Sequence, residues 1–260
     1  VSIYGFPPLE LIVFTLLGGT LLAVSANVLN QIFEIETDRL MERTANRPLV
    51  TGEINKKSAY VYSISLGFLG FLVLYTQTTE LAAFIALSAN IFYSFIYTLV
   101  LKPRTNQNIV IGGAAGAAPV LIGWSATGTN LDTGSWLLFL LVFLWTPAHF
   151  WALSIDKLND YKDANFPMLP TQESYKRTSI FIGIYSCATV LTSLLLAPIL
   201  QLGMVYLLLS LIFGLYLMYK SYQLYRKQIK AISYFVFSNT YLAVIFLSMV
   251  ADIFITLSSI

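Results

Sequence analysis

Long apolar runs alternate along this chain with short polar breaks. Runs of roughly 20 residues, the length a membrane-crossing helix needs, fall at 9–33, 58–76, 80–100, 107–125, 135–155, 178–198, 202–221 and 233–257. They are too long for barrel strands and lack the one-in-two alternation of such strands. The pattern therefore predicts an all-α integral membrane protein, a bundle of eight transmembrane helices in a single domain over residues 1–260. The breaks at 77–79, 127–134 and 200–203 are short enough to be tight turns on one side of the bilayer. The longer segments 34–57, 101–106, 156–177 and 222–232 then fall on the other side.

Composition agrees with this picture. The chain is 57% hydrophobic and 11% charged, whereas a soluble domain carries about 25% charged residues. All 15 Lys and Arg residues lie in or beside the longer segments, while Glu10, Glu80, Asp132 and Asp252 mark the opposite ends. The positive-inside rule puts the basic side in the cytoplasm or its equivalent. A single cysteine, Cys187, excludes a disulfide framework and a cysteine metal site. No basic run interleaved with aromatics suggests nucleic acid. No signal or transit segment is visible, which favours a bacterial plasma membrane over the mitochondrial inner membrane. The chain begins at Val1 instead of Met, so a preceding piece is expected to be missing.

The scarce charges cluster. Asn30, Glu34 and Asp38 recur every fourth residue where the first apolar run ends, and on a helix such residues share one face. An oxygen-only stripe suits Mg²⁺, which keeps waters and shares its shell with substrate phosphates. Arg43 and Arg47 follow, the latter before Pro48, which pushes it out of the α region. With Lys102 and Arg104 they are candidates for diphosphate contact, the plain alternative being positive-inside anchoring. Asp156 and Asp160, with Asp163 beyond, repeat the acidic spacing after the fifth run, as in a weak repeat of two four-helix halves. Two such acid pairs on facing helices are expected to hold one diphosphate through Mg²⁺, with Asp38 and Asp160 central to its departure. The small-residue stretch 112–119 provides either close helix packing or room for a bulky ligand. His149, the only histidine, lies near the end of the fifth run, a candidate haem ligand, proton shuttle or buried structural group. Tyr93, Tyr97 and Tyr161 are candidates for lining a prenyl pocket.

The stretch NQIFEIETDRLMERTANRPL resembles the first acidic motif of the UbiA superfamily of membrane prenyltransferases. The segments YTLVLKPRTNQNIVIGGAAGAAPVLIGW, WTPAHFWALS and DYKDANFPMLP resemble its haem-modifying branch. The resemblance implies a helical bundle around a cavity, with farnesyl transfer from farnesyl diphosphate to the 2-vinyl group of haem B, giving haem O. It implies Mg²⁺ at Asn30, Glu34, Asp38, Asp156 and Asp160, and diphosphate at Arg43, Arg47 and Lys102. It makes the lipid bilayer the setting and haem A synthase or terminal-oxidase assembly factors candidate partners. Another prenyltransferase of the superfamily, acting on an aromatic or lipid acceptor, is the alternative, and a transporter without catalysis is a third reading. The chain departs from the superfamily pattern in having Glu34 for the usual Asp and in lacking the usual first span.

Overall fold

A computed structural model describes residues 7–258. Every element among them is helical. In order they are α1 (Leu9–Phe33), α2 (Ile35–Asp38), α3 (Pro48–Thr51), α4 (Lys56–Gln77) and α5 (Glu80–Ile91), which runs on as a π-helix (Phe92–Leu101). Then come α6 (Asn108–Ala126), α7 (Thr133–Asp156), α8 (Leu158–Asp163), α9 (Leu169–Gln172), α10 (Tyr175–Ile199), α11 (Met204–Tyr225) and α12 (Ala231–Ser258). Eight of these are long and apolar enough to cross a membrane, with α5 and its π-helix counted as one. All eight predicted runs are present. The two long acidic segments differ from simple loops, because each carries two short helices.

Polar side chains mark where several spans begin. Asn55, Thr79 and Ser174 accept hydrogen bonds from the backbone N–H groups of Ser58, Ala82 and Arg177. Each satisfies a donor that the first helical turn leaves open. Large apolar side chains such as Leu16, Ile64, Phe68, Ile184 and Leu215 point outward. Such a surface is costly in water and suited to lipid.

The chain divides into two compact units, one holding α1–α6 with α8 and α9, the other α7 with α10–α12. In the first, α1 and α4 pack backbone to backbone. A Cβ on Gly70 would lie 2.8 Å from the Gly18 carbonyl oxygen, too close for any residue but glycine. Ser63 bonds the Ser25 carbonyl at 2.9 Å, and Asn90 of α5 reaches the Leu22 carbonyl at 2.8 Å. Close approach plus interhelical hydrogen bonds is how helices adhere where lipid removes the hydrophobic drive. The second unit uses hydroxyls. Tyr206 donates to the Ser193 carbonyl at 2.7 Å, Tyr241 to the Ser193 hydroxyl at 2.8 Å, and Ser186 pairs with Tyr234 at 2.6 Å. Asp252 accepts the backbone N–H groups of Gly203 and Tyr206 at the turn into α11.

Candidate active site

The site is built where α1 ends. Glu34 leaves helical geometry (φ −104°, ψ 14°), yet its N–H still bonds the Asn30 carbonyl at 3.0 Å. Asp38, closing α2, bonds the Glu34 carbonyl at 2.7 Å. The four-residue relation between the three thus survives the kink. All three side chains are buried, at 7%, 6% and 3% exposure for Asn30, Glu34 and Asp38. Buried carboxylates are costly unless a positive group meets them.

Each acid has one. Lys102 Nζ lies 2.6 Å from the Glu34 carboxylate, with Oε2 accepting its hydrogen bond, while Oε1 takes none of acceptable geometry. Lys102 follows the π-helix and continues its winding, its N–H bonding the Tyr97 carbonyl at 2.8 Å. Its ammonium also sits 4.6 Å from the centre of the Phe166 ring, an added cation–π attraction. Arg47 Nη1 meets Asp38 Oδ2 at 2.5 Å. Pro48 holds Arg47 extended (ψ 141°) at the start of α3, as its ring requires, and Thr44 ties the intervening turn by bonding the Asp38 carbonyl at 2.8 Å. Asn30 Nδ2 donates to Thr98 in the π-helix at 3.2 Å.

The segment carrying α8 and α9 belongs to this unit and packs on the same end. Tyr161, Ala164, Phe166 and Met168 form a buried cluster with Met41 and Ile109, against which Tyr97 packs. Tyr97 stacks on Tyr93, with 5.3 Å between ring centres, and lies on Gly112, where a Cβ would collide with the ring. So at Gly112 the small residue makes room for an aromatic side chain of the protein itself, whereas nothing lies within 4 Å of a Cβ built at Gly116.

The structure therefore brings together Asn30, Glu34, Asp38, Arg47, Lys102, Tyr97 and Tyr161, each within one unit. Asp160 is half-buried beside Tyr161 in that unit. Asp156 is exposed at the end of α7, and α7 belongs to the other unit. Arg43 and Arg104 are exposed, and neither makes an ion pair among the described residues. His149 lies in α7, buried between Trp145 and Phe235, each ring centre 4.1 Å away, with Nδ1 2.7 Å from Ser238 Oγ. Two residues at this end lie outside the predicted site set. Asn108 is fully buried, donates to the Lys102 carbonyl at 3.2 Å and leaves its own oxygen unbonded. Thr98 is the other, and the spacing Thr98–Lys102, which matches Asn30–Glu34, was the available signal.

The donors at the end of α1 are all oxygens, which suits a hard cation. Mg²⁺ is such a cation, bound through one or two carboxylates together with waters and substrate phosphates.

A model of the UbiA prenyltransferase family matches residues 1–250. The chain belongs to the UbiA prenyltransferase family. It is 40% identical over 258 residues to a protoheme IX farnesyltransferase of Pseudarthrobacter chlorophenolicus, covering 96% of this chain and 81% of that protein. A protein of the same name from Clavibacter sepedonicus is 42% identical over 253 residues, covering 95% and 83%. The chain spans only 41% of a Thermus thermophilus relative of that name, to which it is 42% identical over 250 residues, 95% of this chain. Among solved structures, one described under the biosynthesis of digeranylgeranylglyceryl phosphate synthase superposes with a TM-score of 0.78 at 23% identity, covering 97% of this chain and 88% of that one. A UbiA homologue from Archaeoglobus fulgidus bound to GPP and Mg²⁺ gives 0.65 at 18% identity, covering 93% and 88%. These two establish the fold.

Proposed function

We propose that this UbiA-family chain transfers a farnesyl group from farnesyl diphosphate to the 2-vinyl group of haem B, yielding haem O. The observation that carries the chemistry is the pair of buried carboxylates, Glu34 and Asp38, each met by a partly exposed cation, Lys102 and Arg47, at the mouth of the first span. The acceptor is taken from the name shared by relatives about 40% identical over most of the chain. Mg²⁺, held by Asn30, Glu34 and Asp38 with Asp160 from the second acidic segment, would supply Lewis-acid stabilisation of the departing diphosphate. That a UbiA homologue from Archaeoglobus fulgidus is bound to GPP and Mg²⁺ supports a divalent metal in this reaction.

The chain's own residues do the rest. Lys102 and Arg47 neutralise two buried carboxylates, and a bound diphosphate gives both cations a second, stronger anion to engage. Exchange of carboxylate for phosphate oxygens frees Glu34 and Asp38 to serve as ligands. Arg47 suits two phosphate oxygens at once because its guanidinium is forked, while Lys102 supplies a point charge. Breaking the allylic C–O bond leaves diphosphate on these groups and a delocalised cation on the prenyl chain, which the electron-rich vinyl group captures. Capture forms the new C–C bond at the outer vinyl carbon and moves the positive charge to the inner one, where water adds and loses a proton to the solvent, giving the hydroxyethylfarnesyl side chain. Tyr161, buried beside the site, and Tyr97, half-buried against it, would face the prenyl cation. We place the basic ends of the spans at the cytoplasmic face of a bacterial plasma membrane, supported by the positive-inside pattern and by bacterial relatives.

Detergent-purified protein given farnesyl diphosphate, Mg²⁺ and haem B is expected to form haem O, identified by mass. Prenylation of a phenolic acid or a lipid acceptor, with haem B untouched, would overturn this assignment in favour of another UbiA-type reaction.

A further inference from the structure

Asn30 and Glu34 face Thr98 and Lys102 in register, each pair separated by 68 residues. One pair is ionic. The other is a hydrogen bond whose direction can be worked out. A threonine hydroxyl carries one proton. Thr98 Oγ1 gives it to the Tyr93 carbonyl at 2.9 Å. Toward Asn30 it can therefore only accept, and the group 3.2 Å away must be the amide nitrogen. The two ends of an asparagine amide look alike, and the hydrogen-bond network decides between them. Here the network fixes the nitrogen on Thr98 and turns Oδ1, the atom able to bind a cation, away from it.

This arrangement depends on the π-helix. A threonine in ordinary α-winding bonds back three or four residues, whereas Thr98 reaches back five, in step with the i→i−5 ladder of Phe92–Leu101. The same ladder carries Lys102, whose N–H bonds the Tyr97 carbonyl. Thr98 is buried at 4% exposure, so its donor and acceptor roles are filled within the protein. A π-wound stretch is rare and often accompanies function.

We propose that Thr98 is a positioning residue for metal binding, locking the Asn30 amide so that Oδ1 is presented as a ligand in line with the carboxylates of Glu34 and Asp38. The inference rests on the metal reading above. It extends that reading by assigning the π-helix a task, the joint setting of Asn30 and Lys102. Groups that orient a metal ligand typically carry 10- to 100-fold in metal affinity.

The test is Mn²⁺ binding to the full-length protein in detergent with inorganic pyrophosphate, followed by electron paramagnetic resonance, which needs no turnover. Thr98→Val keeps the shape and removes the hydroxyl, and is expected to weaken Mn²⁺ binding about tenfold or more. Thr98→Ser is expected to restore it to within about threefold, because the hydroxyl returns. In an Asn30→Ala background, Thr98→Val should change Mn²⁺ binding little, because the residue it orients is gone. An equal loss with and without Asn30 would make Thr98 a structural group and overturn the inference. Unchanged binding in Thr98→Val, with the wild type binding Mn²⁺, would overturn it alone. A wild type that binds no Mn²⁺ in the presence of pyrophosphate would overturn the metal reading as well.

Discussion

Two acidic segments of this chain share a four-residue spacing and have different surroundings. In the first, Glu34 and Asp38 are buried, and each is gripped by a cation from outside its own helix turn, Lys102 and Arg47. In the second, Asp156 and Asp163 are exposed and Asp160 is half-buried. Spacing decides which side chains share a face. The partner supplied by another element decides whether a charge stays buried there, since an unpaired buried carboxylate is expensive. The first segment thus holds a neutralised pair of buried acids, and Asp160 is the half-buried one of the three acids of the second segment.

The sharpest way to break this contrast is Asp38→Asn, which removes a charge and almost no volume. Turnover should fall by roughly 10²–10³-fold, the range for losing one preorganised electrostatic group, while haem B binding followed by absorbance is retained. Equal losses of both would make Asp38 structural. Next in size is Lys102→Ala. It leaves Glu34 buried without its cation and should lower stability by about 3–5 kcal/mol, measured by thermal or denaturant unfolding in detergent. The double variant Glu34→Gln with Lys102→Met should recover most of that stability and none of the turnover. That outcome separates folding from chemistry. Within the second segment, Asp160→Asn is expected to cost about 10- to 100-fold in Mg²⁺ dependence of turnover, and Asp156→Asn clearly less. The reverse order would move the second ligand to α7. The smallest effect belongs to Ser238→Ala, which removes a hydrogen bond to His149 and should cost about 1 kcal/mol of stability. A change in the haem absorption spectrum in that variant would assign His149 to the haem site. An unchanged spectrum would leave it a packed structural group.

Much of the fold was legible in the sequence because bilayer thickness dictates span length, so hydropathy alone located all eight spans. The stripe Asn30, Glu34 and Asp38 was legible for a similar reason, since helical periodicity put the three side chains on one face. The extended turn at Arg47 followed from Pro48. The cross-helix partners were not legible. That Lys102 reaches Glu34, that Thr98 reaches Asn30, and that Asn108 caps the Lys102 carbonyl are tertiary facts joining distant parts of the chain. The π-winding of Phe92–Leu101 was equally hidden, because its sequence FYSFIYTLVL carries only apolar residues and hydroxyls that suit α-winding as well. Gly112 could be read as ligand space until the Tyr97 ring was found against it.

In this mechanism the end of α1 grips a diphosphate through a divalent cation. The most direct test is a structure of the protein with Mn²⁺ and a non-hydrolysable farnesyl diphosphate analogue, using the manganese anomalous signal to locate the ion. Manganese should be coordinated by oxygens of Asn30, Glu34 or Asp38, with Arg47 and Lys102 turned from the carboxylates onto the diphosphate. Manganese and diphosphate bound elsewhere, with Glu34–Lys102 and Asp38–Arg47 still paired, would contradict it.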